Sequence, residues 1–197
     1  AWKLDLVLKG AAPESLLDGY QQEREPQVRS VIASAVEAGR YICMLDPVRA
    51  AERDAEMRAR TADPVRTAAD LITPIKGLTT NSAGAGKRFI QPRVSLGGLE
   101  RLLDDATSGG LVLLFRNGAR AEPDLVRSLR VSQFSLDGDL EDISGDLGRW
   151  LDDHQADAVL LRPDFYVFGA ASGRDAPSAL MRQFKYAVDN KEIPCPA

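Results

Sequence analysis

The chain has 197 residues, 44% of them hydrophobic and 27% charged, with a formal net charge of −4. This is an ordinary globular balance, and the 25 Lys and Arg are scattered, which excludes a general nucleic-acid-binding surface. No stretch reaches the roughly 18–20 apolar residues of a membrane span, no secretion signal stands at the start, and two distant cysteines, Cys43 and Cys195, fit a reducing cytoplasm better than a disulfide framework.

The chain opens on "AWKLDLVLKG", in which Trp2, Leu4, Leu6, Val7 and Leu8 already run as an apolar set. No capping Ser, Thr, Asp or Asn precedes it, so it reads as the interior of a helix whose beginning has been removed. Pro13 and Glu14 suit a second helix start, and Leu16, Leu17 and Tyr20 share its face. Pro26 is expected to kink or break that helix, because it lacks an N–H and crowds the preceding turn. Val28, Val31, Ile32, Ala35, Val36, Gly39 and Ile42 then follow helical spacing and need a partner surface. Cys43 reads as a small core residue at the end of this apolar helix. Asp46-Pro47 opens a helix with a solvated face, supported by Asp54–Arg58 and Glu56–Arg60 pairs. Asp63-Pro64 restarts a short helix that ends near Leu71. "TPIKGLTTNSAGAGK", from Thr73 onward, shows no period and reads as a mobile, cleavable linker over residues 73–88.

Beyond residue 88 strands alternate with helices. Leu99–Asp105 reads as a short helix, and "LVLLFRN" (111–117) as a strand buried on both faces. "EPDLVRSLR" (122–130) is helical, "VSQFSLDG" (131–138) a half-buried strand, and "DLGRWLDDHQ" (146–155) an amphipathic helix. "DAVLLR" (157–162) and "FYVFGAA" (165–171) are expected to form an antiparallel strand pair across a tight turn, and 177–190 closes as a helix. The order β-α-β-α-β-β-α predicts a sheet with helices on its faces and suggests a thioredoxin-like fold.

The chemistry-bearing candidates mostly have plain structural readings. "GAGK" (84–87) lacks the first glycine and final hydroxyl of a phosphate loop and reads as linker. The helix after "LVLLFRN" contains no cysteine, so thioredoxin-type redox chemistry lacks its thiolate. His154, the single histidine, reads as a solvated helix-terminal residue, and one histidine is too little for a zinc site or, with no G-x-S-x-G, for a triad. Asp152 and Asp153 point in different directions on a helix and make no dyad. In "RPD", Arg162 and Asp164 are expected to fix the turn, Asp164 through local backbone N–H groups.

Trp2, Lys3, Leu4, Leu16, Leu17, Tyr20, Glu23, Arg24 and Pro26 match the segment "N-L-x-W-K-L … L-L-x-x-Y-x-x-E-R", and the chain there resembles class A FAD-dependent aromatic hydroxylases. "GKRFIQPRVSL" (87–96), "LGRWLDDHQADAVLLRPDFYVFGAA" (147–171) and the final helix are similar to the C-terminal part of the 3-(3-hydroxyphenyl)propionate hydroxylase group. The resemblance implies a parent flavoprotein in which NAD(P)H reduces FAD and O₂ is used to hydroxylate a phenol. It also implies an α/β fragment in three parts: residues 1–72 as a helical remnant of the FAD/substrate domain, 73–88 as linker, and 89–197 as a thioredoxin-like domain without C-x-x-C. The Gly-rich turn that would hold the FAD pyrophosphate is missing. No catalytic, cofactor-binding or metal residue is therefore assigned within 1–197, and the fragment by itself is expected to be structural, inactive and free of cofactor. Its expected partners are the FAD domain of the same protein and a second copy, paired as a homodimer through the apolar surface of Trp2, Leu6, Leu16, Leu17, Tyr20 and the Val28–Ile42 stripe, the other way to cover that surface being to fold back over the C-terminal domain. The phenolic substrate belongs to the parent. The alternative from another class is a free-standing, redox-inactive thioredoxin-like binding or oligomerisation module.

Overall fold

The structure, a computed structural model, describes residues 1–59, 73–107, 109–136 and 138–190. The helix expected from Asp63 to Leu71, and Cys195, lie outside the described residues. The chain forms two compact units, Ala1–Glu23 with Lys76–Ala197, and Arg24–Ile75. This grouping follows the contacts, and in it the first helix falls with the later strands.

In the first unit, α1 (Trp2–Leu8) is followed by a 3-10 turn (Glu14–Leu17) and the start of α2 (Asp18–Ile42). After residue 76 come β1 (Arg93–Leu96), β2 (Leu99–Leu102), a short helix Leu103–Thr107, β3 (Val112–Phe115), a helix Pro123–Leu129, β4 (Ser132–Ser135), β5 (Leu140–Asp142), a helix Asp146–Asp153, β6 (Ala158–Leu161), β7 (Val167–Ala171) and the closing helix Ala176–Asn190. The α/β class holds. A four-stranded sheet runs β4-β3-β6-β7, with β3 and β4 parallel and β6 and β7 antiparallel.

Successive side chains of a strand point to opposite faces, so the apolar run of β3 feeds two cores. Leu113 and Phe115 join Leu160 and Phe168 under Leu180, Met181 and Phe184 of the closing helix. Val112 and Leu114 join Val159 and Leu161 on the other face, against Leu147 and Leu151 of the helix Asp146–Asp153 and against Val94 and Leu140. Trp2, Leu6 and Val7 of α1 pack against the first core, and Leu16 is buried in it. Of the surface expected to need cover, Leu16 is buried here and Trp2 and Leu6 are half-buried, so these three fold back over the later domain instead of waiting for a second copy. The core under the closing helix has room for the apolar face of α1, and burial there removes it from water.

A second sheet, β2-β1-β5, replaces the helix expected over Leu99–Asp105. Leu96 pairs with Leu99 across Gly97-Gly98, both at positive φ. That is the two-residue hairpin turn that glycine favours, and it turns the chain back as a strand before any helix can start. The short helix begins only at Leu103.

Residues 73–88 were expected to be a mobile linker, and the structure corrects this too. Thr80 donates its N–H to the Phe168 carbonyl at 2.7 Å, and Gly86 donates to the Val167 carbonyl at 2.9 Å. Val167 donates back to the Lys87 carbonyl at 2.9 Å, and Ala170 donates to Ser82 Oγ at 2.8 Å. The segment is a strap along the outer edge of β7. The small residues read as freedom serve close approach instead.

In the second unit, α2 continues and α3 spans Pro47–Ala59. Pro26 lies inside α2 without ending it. Gln22, whose carbonyl loses its helical donor to Pro26, is exposed, so the loss falls on the solvent side of the helix. Asp46 Oδ1 accepts the N–H groups of Val48 and Arg49 at 2.8 and 3.3 Å, which makes it a true helix cap. Asp54 pairs with Arg53 at 2.7 Å rather than with Arg58. Cys43 is exposed, not a core residue, because the stripe it follows is itself exposed at Val28, Val31, Ile32 and Val36.

Candidate functional site

The most heavily buried charges of the described residues meet where α1, the start of α2 and the β6–β7 turn converge. Arg162 follows β6, and its side chain has 0% exposure. Its Nη1 donates to Glu23 Oε1 at 2.8 Å and its Nη2 to Glu23 Oε2 at 2.9 Å, a fork-on-fork pair. The same guanidinium donates to both Asp164 oxygens, from Nε at 3.1 Å and Nη2 at 2.8 Å, and from Nη1 to the Leu78 carbonyl at 3.2 Å. Glu23 Oε1 also accepts the Leu78 N–H at 3.0 Å. Lys3 Nζ lies 3.1 Å from Glu23 Oε2, with its side chain 7% exposed. The Trp2 ring sits 5.2 Å from the Arg162 guanidinium carbon, within cation–π range.

Two cations and two carboxylates balance here, which is the condition for burying such a group. Burial by itself would raise the Glu23 carboxyl, but the hydrogen bonds and charge of Arg162, then the charge of Lys3 and the Leu78 N–H, hold it below the usual carboxylate range. Burial lowers the Lys3 ammonium from its ordinary value, against the pull of Glu23. Arg162 is raised: burial works against its charge, and its bonds to Glu23 and Asp164 prevail.

Other candidates fall elsewhere. Asp164 binds the Arg162 guanidinium, and Arg162 itself reaches far beyond the turn it was expected to fix. His154 is half-buried, not freely solvated: its ring stacks on Trp150 at 3.9 Å and 15°, and Nδ1 lies 2.7 Å from the Trp150 carbonyl. Asp152 pairs with Arg116 at 2.5 Å. Asp157, which sequence reading passed over, gathers Arg116 Nε at 3.2 Å, Asn117 Nδ2 at 2.9 Å and the Gly173 N–H at 2.7 Å. Among the described residues no group of three His, Cys, Asp or Glu could hold a metal ion, and no helix is long and apolar enough to cross a membrane.

The "GAGK" turn does not fit a flavin pyrophosphate. The N–H groups of Ala85, Gly86 and Lys87 are bonded to the carbonyls of Ser82, Val167 and Gly84. A Cβ on Gly84 would lie 2.9 Å from both the Trp150 and His154 rings. The loop is packed against side chains, and no helix opens from it to lend its N-terminus to phosphate.

Residues 86–186, more than half the chain, match the family described as the HcaD C-terminal domain. The chain belongs to that family. The HcaD C-terminal domain thus takes in the last turn of the strap, both sheets and most of the closing helix. Across 95% of its length the chain is 34% identical to a probable NADH-specific resorcinol 4-hydroxylase of Rhodococcus jostii (strain RHA1), and it covers 37% of that protein. It is 29% identical to a 3-(3-hydroxy-phenyl)propionate/3-hydroxycinnamic acid hydroxylase of Klebsiella pneumoniae (strain 342), over 87% of this chain and 37% of the relative. The chain therefore spans little more than a third of these relatives. In fold it is similar to aklavinone-11 hydroxylase, solved with FAD and aklavinone, with a TM-score of 0.66 at 22% identity, covering 95% of this chain and 38% of that one. OxyS anhydrotetracycline hydroxylase from Streptomyces rimosus gives a TM-score of 0.63 at 22% identity, over 92% of this chain and 38% of that one.

Proposed function

We propose that this chain is the C-terminal part of an FAD-dependent aromatic monooxygenase that uses NAD(P)H, acts on a phenolic ring in the cytoplasm, and has its flavin site outside residues 1–197. The observation that carries the reading is the match along nearly the whole chain to a named hydroxylase of which the chain covers 37%. FAD supplies the redox chemistry of such an enzyme when bound. The residues of this chain act differently: Arg162, Glu23, Lys3 and Asp164 fasten the first helices onto the sheet. The parallel β3–β4 pair, followed by antiparallel β6 and β7, supports a thioredoxin-like name for the later domain, one with no redox cysteine.

The reading predicts that the 197-residue chain binds no FAD. The purified chain is expected to be colourless and to leave FAD fluorescence unchanged; saturable quenching at micromolar protein would refute it. The protein read from the same gene with its upstream codons is expected to oxidise NADH in the presence of a phenol such as resorcinol.

Pairing of copies belongs to the same reading. Val28, Val31, Ile32 and Val36 line one exposed side of α2, and a two-fold contact would let that side cover itself. Ile32→Glu is expected to convert a dimer to a monomer in sedimentation equilibrium. A wild-type chain that is already monomeric removes this part of the proposal.

A further inference from the structure

The segment Arg24–Ile75 leaves the first unit immediately after Glu23 and rejoins it at Lys76. Both crossings lie at the buried ion cluster. Glu23 is the last residue before the excursion, and Leu78 is the third residue after it. One carboxylate oxygen of Glu23 receives the Leu78 N–H, and Arg162 Nη1 holds that same oxygen together with the Leu78 carbonyl. Leu78 therefore has both of its backbone polar groups engaged by this ion pair. Gly77 shapes the approach: its φ is +134°, and a Cβ there would sit 2.5 Å from Glu23 Cγ.

We infer that Glu23 and Arg162 form a clamp that closes the stem of the Arg24–Ile75 segment, binding the point of exit to the point of return through Leu78. The clamp substitutes for a short loop. Bringing together the ends of a long excursion costs closure entropy, and a buried bidentate ion pair whose remaining hydrogen bonds go to the returning backbone is suited to oppose it. An ion pair serving only general stability has no need to spend bonds on both backbone groups of one residue.

The inference stands apart from the flavoenzyme reading: FAD binding by this chain would sink that reading and leave the clamp untouched. The test is amide hydrogen exchange on the full chain, followed by mass spectrometry, for wild type, Glu23→Gln and Gly77→Ala. Gly77→Ala keeps every charge; its Cβ would meet Glu23 Cγ and its φ of +134° is one that side chains rarely adopt, and both push the returning backbone off Glu23. In both variants the Leu78 amide is expected to exchange about tenfold faster or more, the loss of one sound hydrogen bond. In Gly77→Ala the amides of β3 and β6 should rise clearly less than that of Leu78, since local opening leaves core strands protected; in Glu23→Gln they rise as well, because removing one partner of a buried pair lowers the stability of the whole unit. An unchanged Leu78 amide in Gly77→Ala overturns the clamp. So does an equal rise at Leu78, β3 and β6 in Gly77→Ala, which would make the cluster a general stabiliser. Should Glu23→Gln fail to fold, Gly77→Ala decides alone.

Discussion

At the scale of single residues, the Glu23 carboxylate sets how the fold responds to acid. Its folded-state pKa lies below that of an unfolded glutamate, the hydrogen bonds of Arg162 prevailing over burial. Its stabilising contribution is therefore complete above the unfolded value of about 4.3 and is lost as pH falls through the lower folded value. Glu23→Gln should cost about 3–5 kcal/mol near neutral pH, because it leaves Arg162 and Lys3 buried with one carboxylate between them. It should also flatten the fall of stability on acidification. Urea denaturation of both proteins from about pH 5 down to about pH 2, the window in which a depressed carboxylate loses its contribution, checks this, and equal slopes would contradict it. Little of the cluster was legible in the sequence. Glu23 and Arg162 stand 139 positions apart, and no local pattern links them. "RPD" points to a turn, and the turn is there; a long side chain that passes through the core leaves no periodic trace. Lys3 sat in an apolar helix as its single cation, and that was the one visible hint of a buried partner.

At the scale of elements, periodicity served well wherever a side-chain pattern had several turns or residues to repeat. The strand at "LVLLF", the strand pair around "RPD" and the helices at 146–153 and 176–190 stand where patterning puts them. The misses share a physical cause: their hydrogen bonds are set by neighbours distant in sequence. β5 has three residues and exists through pairing with β1. The strap of 79–88 has no pattern because its partner, β7, lies about eighty residues on. "LGGL", by contrast, carried a readable hairpin signal in its paired glycines. The strap also reverses an expectation about proteolysis. Lys87 and Arg88 are exposed, yet the Lys87 carbonyl and N–H are bonded and Arg88 bridges to Tyr166. A protease needs an extended stretch free of such bonds, so limited trypsin digestion should cut first outside residues 79–88. A first cut after Lys87 or Arg88 would show the strap detached.

At the scale of the whole molecule, the class and the kinship were readable in pattern and motif, and the grouping of segments rests on contacts. Composition and strand–helix alternation give α/β, and the matching blocks at both ends of the chain give the hydroxylase kinship. Contacts decide domains, however, and residues 1–23 fall with the strands because α1 lies on the core under the closing helix. The borders of the larger sheet bear on how this protein behaves when crowded. A four-stranded sheet has two borders at which a foreign strand could add itself and continue the ladder. Here the border at β7 is already taken by the strap, from Thr80 to Lys87, which leaves the border at β4, where Asp139 Oδ2 already accepts the Ser135 N–H at 3.3 Å, as the one the strap does not cover. Growth into a fibre needs two open sides, so that each newcomer can receive the next. Through this sheet, a second molecule could join at β4 and the series would end there, at two.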